Sequence, residues 1–199
     1  MISIGYDVGS SFVKASLIWS ETGKLIARVR VPEVEIPIDA HKAGWAEQDP
    51  NLWWLYLCDA TKKLLTETQL KADQISSIGI SYQMHGLVLV DRDLNPLRKS
   101  IIWCDSRATP YGEKAFEKLG KDYCKDHLLN SPGNFTASKL AWVIENEPEL
   151  YQRVYKLMLP GDFLAAKLTG LTQTTITGLS EGIFWDFKND SPSKSLFDH

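Results

Sequence analysis

The chain has 199 residues, 44% of them apolar and 24% charged, enough to bury one large core or two small ones. Its formal net charge of −3 carries no block of like sign, which argues against a nucleic-acid partner. Cys58, Cys104 and Cys124 have neither a C-x-x-C nor a Cys/His ligand spacing, against a disulfide framework or a zinc site. The N-terminus opens directly into a strand pattern, and no apolar run approaches the ~20 residues of a membrane span, so the expected setting is a reducing cytoplasm with no membrane contact.

Ile2 to Val8 is β-branched and apolar, Phe12 to Trp19 alternates with Val13, Ala15, Leu17 and Trp19 on one face, and Lys24 to Val31 alternates likewise. The tight turn Gly9-Ser10-Ser11 and the turn signal Glu21-Thr22-Gly23-Lys24 make these a three-stranded antiparallel meander. After an irregular stretch from Pro32 to Gln48, Asp49 is a good N-cap and Pro50 a good first helical residue, followed by Trp53, Leu57, Ala60 and Leu64 at helical spacing. Ile75 to Tyr82 is near-continuously apolar, as in a central strand buried on both faces. Gly86 to Asp91 and Leu97 to Trp103 read as an extended pair around Asp93-Leu94-Asn95-Pro96. Helical patterns then run to about Leu119, from Thr136 to Asn146 with Ala137, Leu140, Ala141 and Ile144 inward, and from Pro160 to Gly170 as a last helix. The order βββαβ followed by helices, with no repeat and no linker, implies one α/β domain over 1–199.

Two segments carry chemistry. Asp7-Val8-Gly9-Ser10-Ser11 forms a hairpin tip that offers amides and hydroxyls beside one carboxylate. Gly9 lets a ligand approach the backbone closely, Ser10 and Ser11 supply donors for phosphate oxygens, and Asp7 suits Mg²⁺. The alternative is a plain turn in which Gly and Ser serve only the backbone. The second segment, Gln83-Met84-His85-Gly86, lies at the carboxyl end of a strand, where ligands of open α/β sheets collect; its alternative is a structural histidine. Trp103, Asp105 and Arg107 share a later loop, where Asp105 either accepts from a ligand hydroxyl or forms a loop-shaping pair with Arg107. Seven tryptophans are many for this length, and Trp45, Trp53 and Trp54 read as core.

A βββαβ order opening with D-x-G-S-S resembles the actin-like ATPase (ribonuclease H-like) fold, whose first hairpin faces the ATP phosphates. Q-M-H-G, the upstream Trp45-Ala46-Glu47-Gln48-Asp49-Pro50-Asn51-Leu52-Trp53-Trp54 and the downstream I-I-W-C-D-S-R resemble the N-terminal domain of FGGY carbohydrate kinases. So do the stretch Pro132 to Trp142 and the segment Leu159-Pro160-Gly161-Asp162-Phe163-Leu164. Within that family the Q-M-H-G loop is similar to that of the kinases converting D-xylulose to xylulose 5-phosphate, whereas glycerol kinases carry an Arg-Glu pair there. The resemblance implies a sugar and ATP as small-molecule partners, Mg²⁺ as cofactor, and Gln83, Met84, His85, Trp103 and Asp105 on the sugar. It also implies that the catalytic base and adenosine pocket belong to a C-terminal domain absent from this chain, so that no catalytic residue is expected here. Gluconate or another sugar as substrate, a non-catalytic actin-like sugar-binding module, and a homodimer remain open at this level.

Overall fold

The computed structural model describes residues 1–198, and its first half follows the expected order. Strands β1 (Ile2–Val8), β2 (Val13–Trp19) and β3 (Leu25–Val31) form the meander. The register sets Asp7 opposite Lys14 and Val8 opposite Val13 across the Gly9 turn. A two-residue strand β4 (Glu47–Gln48) precedes helix α1 (Pro50–Thr68). Asp49 caps that helix by accepting the Asn51 N–H at 2.9 Å, and Trp53, Leu57, Ala60 and Leu64 are buried at i, i+4, i+7 and i+11. The helix returns the chain to β5 (Ile75–Tyr82), parallel to β1, giving the sheet order β3-β2-β1-β5.

Burial departs from the sequence expectation in this region. β5 is not a central, doubly buried strand: it lies on the sheet edge with β1 as its one partner, and Ile78 is 51% exposed. The strand buried on both faces is β6 (Val88–Val90). Val88 and Val90 enter the core formed by α1 and the sheet, while Leu87 and Leu89 point into a second core with Leu128, Val143 and Phe184, so the period of two stitches the clusters together. Of the expected pairing of 86–91 with 97–103, the Leu87–Ile101 bridge and the bond from Leu97 N–H to the Leu89 carbonyl at 2.8 Å remain, with Val90–Pro96 bridging just outside it. The ladder partner of β6 is β8 (Lys156–Met158), and that of β7 (Ser100–Ile101) is β4.

Helix α2 (Thr109–Leu119) is followed by the single turn α3 (Lys121–Tyr123), a π-helical turn over Cys124–Leu128, α4 (Thr136–Asn146) and the short α5 (Pro148–Tyr151). α4 has its expected limits but a rotated face. Thr136, Lys139, Leu140 and Val143 are buried, whereas Ile144 is exposed and Ala137 and Ala141 are half-buried. The reason is Lys139, fully buried, whose Nζ donates to the carbonyl oxygens of His85 at 2.8 Å and Asn134 at 2.9 Å. A buried cation that satisfies two loop carbonyls takes the place of an apolar side chain. Helix α6 (Pro160–Thr169) ends on Gly170 in the left-handed region at φ 73, as its sequence indicated. It is not the last helix, since α7 (Ile176–Glu181), the β9 (Trp185–Asp186) and β10 (Ser191–Pro192) ladder and α8 (Lys194–Phe197) follow.

Gly161 sits so close to the Tyr82 ring that a β-carbon there would fall 2.1 Å from its edge. Gly161→Ala is expected to cost ~1–3 kcal/mol of stability by overpacking this junction of α6 with the end of β5, read as a lowered urea midpoint. Burial lowers the Lys139 pKa from 10.5 to about 8. The unfolded chain therefore holds this proton between about 8 and 10.5 where the folded chain has released it, and stability gains from this group as pH rises through that window. Lys139→Met is expected to lose ~1–3 kcal/mol by orphaning two carbonyls. Urea unfolding at both ends of the window should show the gap between wild type and variant widening with pH; a constant gap would contradict the assignment.

Candidate functional site

The two chemistry-bearing segments meet because β1 and β5 are parallel neighbours, so their carboxyl ends emerge side by side. Gln83 N–H donates to the Val8 carbonyl at 2.8 Å, extending the ladder by one bond into both loops. Gln48 completes the junction. Its Nε2 donates to the Ser10 carbonyl at 2.6 Å, and its Oε1 accepts from Trp53 Nε1 at 3.2 Å and from Gln83 Nε2 at 3.1 Å. Trp103, half-exposed, reaches the Ser10 hydroxyl from the other side at 3.4 Å.

At the hairpin tip, Gly9 N–H bonds to the Phe12 carbonyl at 3.0 Å, which closes the turn and leaves Ser10 and Ser11 partly exposed. Asp7 projects from the end of β1, half-exposed, with Lys14 Nζ on its carboxylate at 2.9 Å. Lys14 was not singled out from sequence, although the strand alternation that sets Asp7 opposite it was readable. A carboxylate, a cation, two hydroxyls and a glycine that leaves the approach open form a set that fits a phosphate with a divalent cation: Asp7 would hold the metal, and Ser10 and Ser11 would face phosphate oxygens beside Gly9.

In the neighbouring loop Gln83 is buried by its bond to Gln48, Met84 is 56% exposed, and His85 adopts the left-handed φ of 59. The His85 ring packs edge-on against Phe135 with centroids 4.2 Å apart. Burial, with the Lys139 ammonium adding to it, holds its pKa below the ordinary 6.5, so the imidazole is neutral at pH 7. The His85 backbone N–H donates to Glu181 Oε1 at 2.7 Å. Burial pushes the Glu181 carboxyl up, and burial together with the nearby Glu181 carboxylate raises the Tyr82 hydroxyl. Among the described residues Gln83 Oε1, His85 Nδ1 and Asn134 Oδ1 are buried without a hydrogen-bond partner.

Asp105 does not join this mouth. It is fully buried, and its oxygens accept from Ala46 N at 2.6 Å, from Arg107 N and Nε at 2.9 Å and from Arg107 Nη2 at 2.6 Å. Of the two roles open to it, the structure has the loop-shaping pair; the reason is that its lone pairs are already spent on the backbone of 46 and on a fork-shaped guanidinium. Arg107 continues the network to Glu47 at 2.7 Å and lies flat over Trp45 at 3.6 Å, and Arg98 bridges Glu47 to Glu147. This buried network clamps the loop before α1 to the loop carrying Trp103. Trp53 is core as expected, whereas Trp45 is the half-buried platform for Arg107. Lys139 and Glu181 were missed: Lys139 was visible only as a letter in the Pro132 to Trp142 stretch, and Glu181 gave no local signal.

A cavity of about 350 Å³ lies elsewhere, between α2 and α4 with Leu140, Ile144, Phe184 and Phe197 among its lining. The Asp7–His85 region is an open shelf, so its chemistry rather than its enclosure marks it. No helix among the described residues is long and apolar enough to cross a membrane.

Xylulose kinase of Bacillus subtilis (strain 168) is 38% identical over 176 residues, covering 86% of this chain and 34% of the relative. Among solved structures, a xyloylose kinase from Brucella ovis superposes with a TM-score of 0.90 at 29% identity over 100% of this chain and 40% of that one. Gluconate kinase from Lactobacillus acidophilus gives 0.87 at 25% identity, covering 99% and 39%. The chain thus spans about a third of the length of the curated relatives it matches. Its actin-like α/β fold is that of these sugar kinases. Residues 2–199 match the description "FGGY family of carbohydrate kinases, N-terminal domain", and the chain belongs to that family.

Proposed function

We propose that these residues form the sugar-binding N-terminal domain of an ATP-dependent kinase that transfers the γ-phosphoryl group to D-xylulose, giving xylulose 5-phosphate. The observation that carries the reading is the junction of a phosphate-suited hairpin with a sugar-suited loop, through Val8–Gln83 and the Gln48 amide. The xylulose kinases among its relatives supply the substrate class. The two cores that share β6 support a single domain over 1–199.

Phosphoryl transfer is mainly a matter of position and charge. Ser10 and Ser11 bind and orient ATP phosphates at the tip, and Gly9 leaves their approach clear. Asp7 would hold Mg²⁺, which would supply positive charge against the phosphate oxygens. Lys14 adds a cation in the same place, opposite Asp7 in the hairpin register. On the sugar side, Met84 packs on the carbon chain, His85 hydrogen-bonds a hydroxyl, Trp103 walls the pocket, and Gln83 ties that loop to the hairpin. Asp105 shapes the Trp103 loop and makes no ligand contact. The general base and adenosine pocket lie in polypeptide beyond these residues, and closure of that second domain excludes water from the reacting group. Exposed Ile78 on the open edge of β5 supports a surface that another segment covers and weighs against a free-standing sensor. Consumption of ATP and the three free thiols fit the cytoplasm. Gluconate is the second reading, favoured by the similarity to the Lactobacillus acidophilus enzyme.

The test is a coupled ADP-release assay on the polypeptide extended beyond these residues, against D-xylulose, gluconate and glycerol. D-xylulose is expected to give the highest kcat/KM. Asp7→Ala should lower kcat by about 10²-fold or more, as loss of a transition-state charge contact does, and His85→Ala should lower kcat/KM by about tenfold or more. Preference for gluconate would select the second reading, and inertness toward all three would reject the kinase. The 199-residue chain alone should release no ADP; sugar-dependent release from it would overturn the division of labour between domains.

A further inference from the structure

His85 holds a left-handed backbone, which is strained for a residue with a β-carbon, and two charged side chains grip its flanking peptide groups. Glu181, at the end of α7, accepts the N–H at 2.7 Å, and Lys139, on α4, donates to the carbonyl oxygen at 2.8 Å. With the ring wedged against Phe135, Nδ1 is buried, lacks a hydrogen-bond partner among the described residues, and faces the same Glu181 oxygen at 4.0 Å.

Burial and the Lys139 ammonium both disfavour imidazolium, so the ring carries one proton on one of two nitrogens. The charged and titratable groups facing this pair are Tyr82 from β5, Lys139 from α4 and Asp162 from α6, with Asp105, Arg107 and Cys104 acting on Lys139 from beyond it. The His85 N–H, the Tyr82 hydroxyl and Lys139 favour ionised Glu181; burial and Asp162 oppose it. A carboxylate oxygen beside Nδ1 attracts an N–H dipole aimed at it and repels a lone pair aimed at it.

We propose that Glu181 is the positioning residue for His85: it pins the left-handed backbone and fixes the neutral ring as the Nδ1–H tautomer, so that Nε2 meets the ligand as a hydrogen-bond acceptor. The site then selects a ligand that presents a donor at Nε2. An alcohol satisfies it, and a carbonyl, ether or carboxylate oxygen in that place does not. This rests on the sugar-kinase reading and narrows it to which sugar group His85 takes.

The test begins without substitution. The chain labelled with ¹⁵N-histidine is examined near neutral pH by long-range ¹H–¹⁵N correlation, with the His85 signals identified by their loss in His85→Gln. A protonated, pyrrole-type Nδ1 and a pyridine-type Nε2 are expected; a ring protonated on Nε2 overturns the proposal outright. In Glu181→Gln an uncharged amide oxygen keeps the His85 N–H and takes the place of the carboxylate oxygen facing Nδ1, so the preference for Nδ1–H should weaken and the Nε2–H population should rise. D-xylulose binding by the extended polypeptide should weaken about tenfold or more. Glu181→Asp, which keeps the carboxylate, should retain the wild-type tautomer and most of the binding, a recovery that loss of packing alone would not give. An unchanged tautomer in Glu181→Gln also overturns the proposal. The expected tautomer in a wild-type polypeptide that binds no sugar overturns the sugar reading and the ligand half of the proposal, leaving the Glu181–His85 pairing supported.

Discussion

One buried amide holds the candidate site together. Gln48, almost fully buried, donates to the hairpin carbonyl of Ser10 and accepts from Trp53 and Gln83. Each of its partners belongs to a different element: the β1–β2 tip, α1 and the loop after β5. Because every one of these polar groups is removed from water, each bond lost would leave an orphan, and the arrangement is specified more sharply than apolar packing alone would achieve. The spacing between hairpin and loop is consequently a property of the core.

Around this amide the buried charges are divided between two tasks. Asp105, Arg107, Glu47, Arg98 and Glu147 form a network that fastens one loop to another, stacked on Trp45 and Trp142. Lys139 and Glu181 grip the two sides of His85. Neither set lines the shelf itself, where the half-exposed Asp7, Met84 and Trp103 stand. A rigid buried frame supporting an accessible mouth is the usual requirement for a site that must hold small groups within fractions of an ångström.

The open side of the molecule has a physical meaning of its own. β5 carries an unpaired edge and an exposed Ile78, Ile144 stands exposed on α4, and a cavity of about 350 Å³ lies apart from the shelf. Edges and apolar faces of this kind are normally covered. They agree with a chain that spans about a third of its relatives' length.

Much was legible in the residues themselves. The β1–β3 meander, the Asp49 cap and Pro50 start of α1, the limits of α4 and the Gly170 stop of α6 depend on local rules of alternation, capping and backbone freedom, which neighbouring residues in the chain settle between them. The candidate segments Asp7 to Ser11 and Gln83 to His85 were legible for the same reason, since each is a short run at the end of a strand. What only tertiary structure decided is where polar side chains find partners far away in the sequence. The apolar run of β5 pointed to a central strand, but burial depends on what lies on either side, and the doubly buried strand is β6. An apolar stripe predicted the inward face of α4, yet Lys139 turns inward because two loop carbonyls need a donor. Asp105 looked equally suited to a sugar hydroxyl and to Arg107, and the choice fell to an amide 59 residues away, that of Ala46. Glu181, 96 residues from His85, left no local trace, because a long-range hydrogen bond imposes no pattern on the sequence around it.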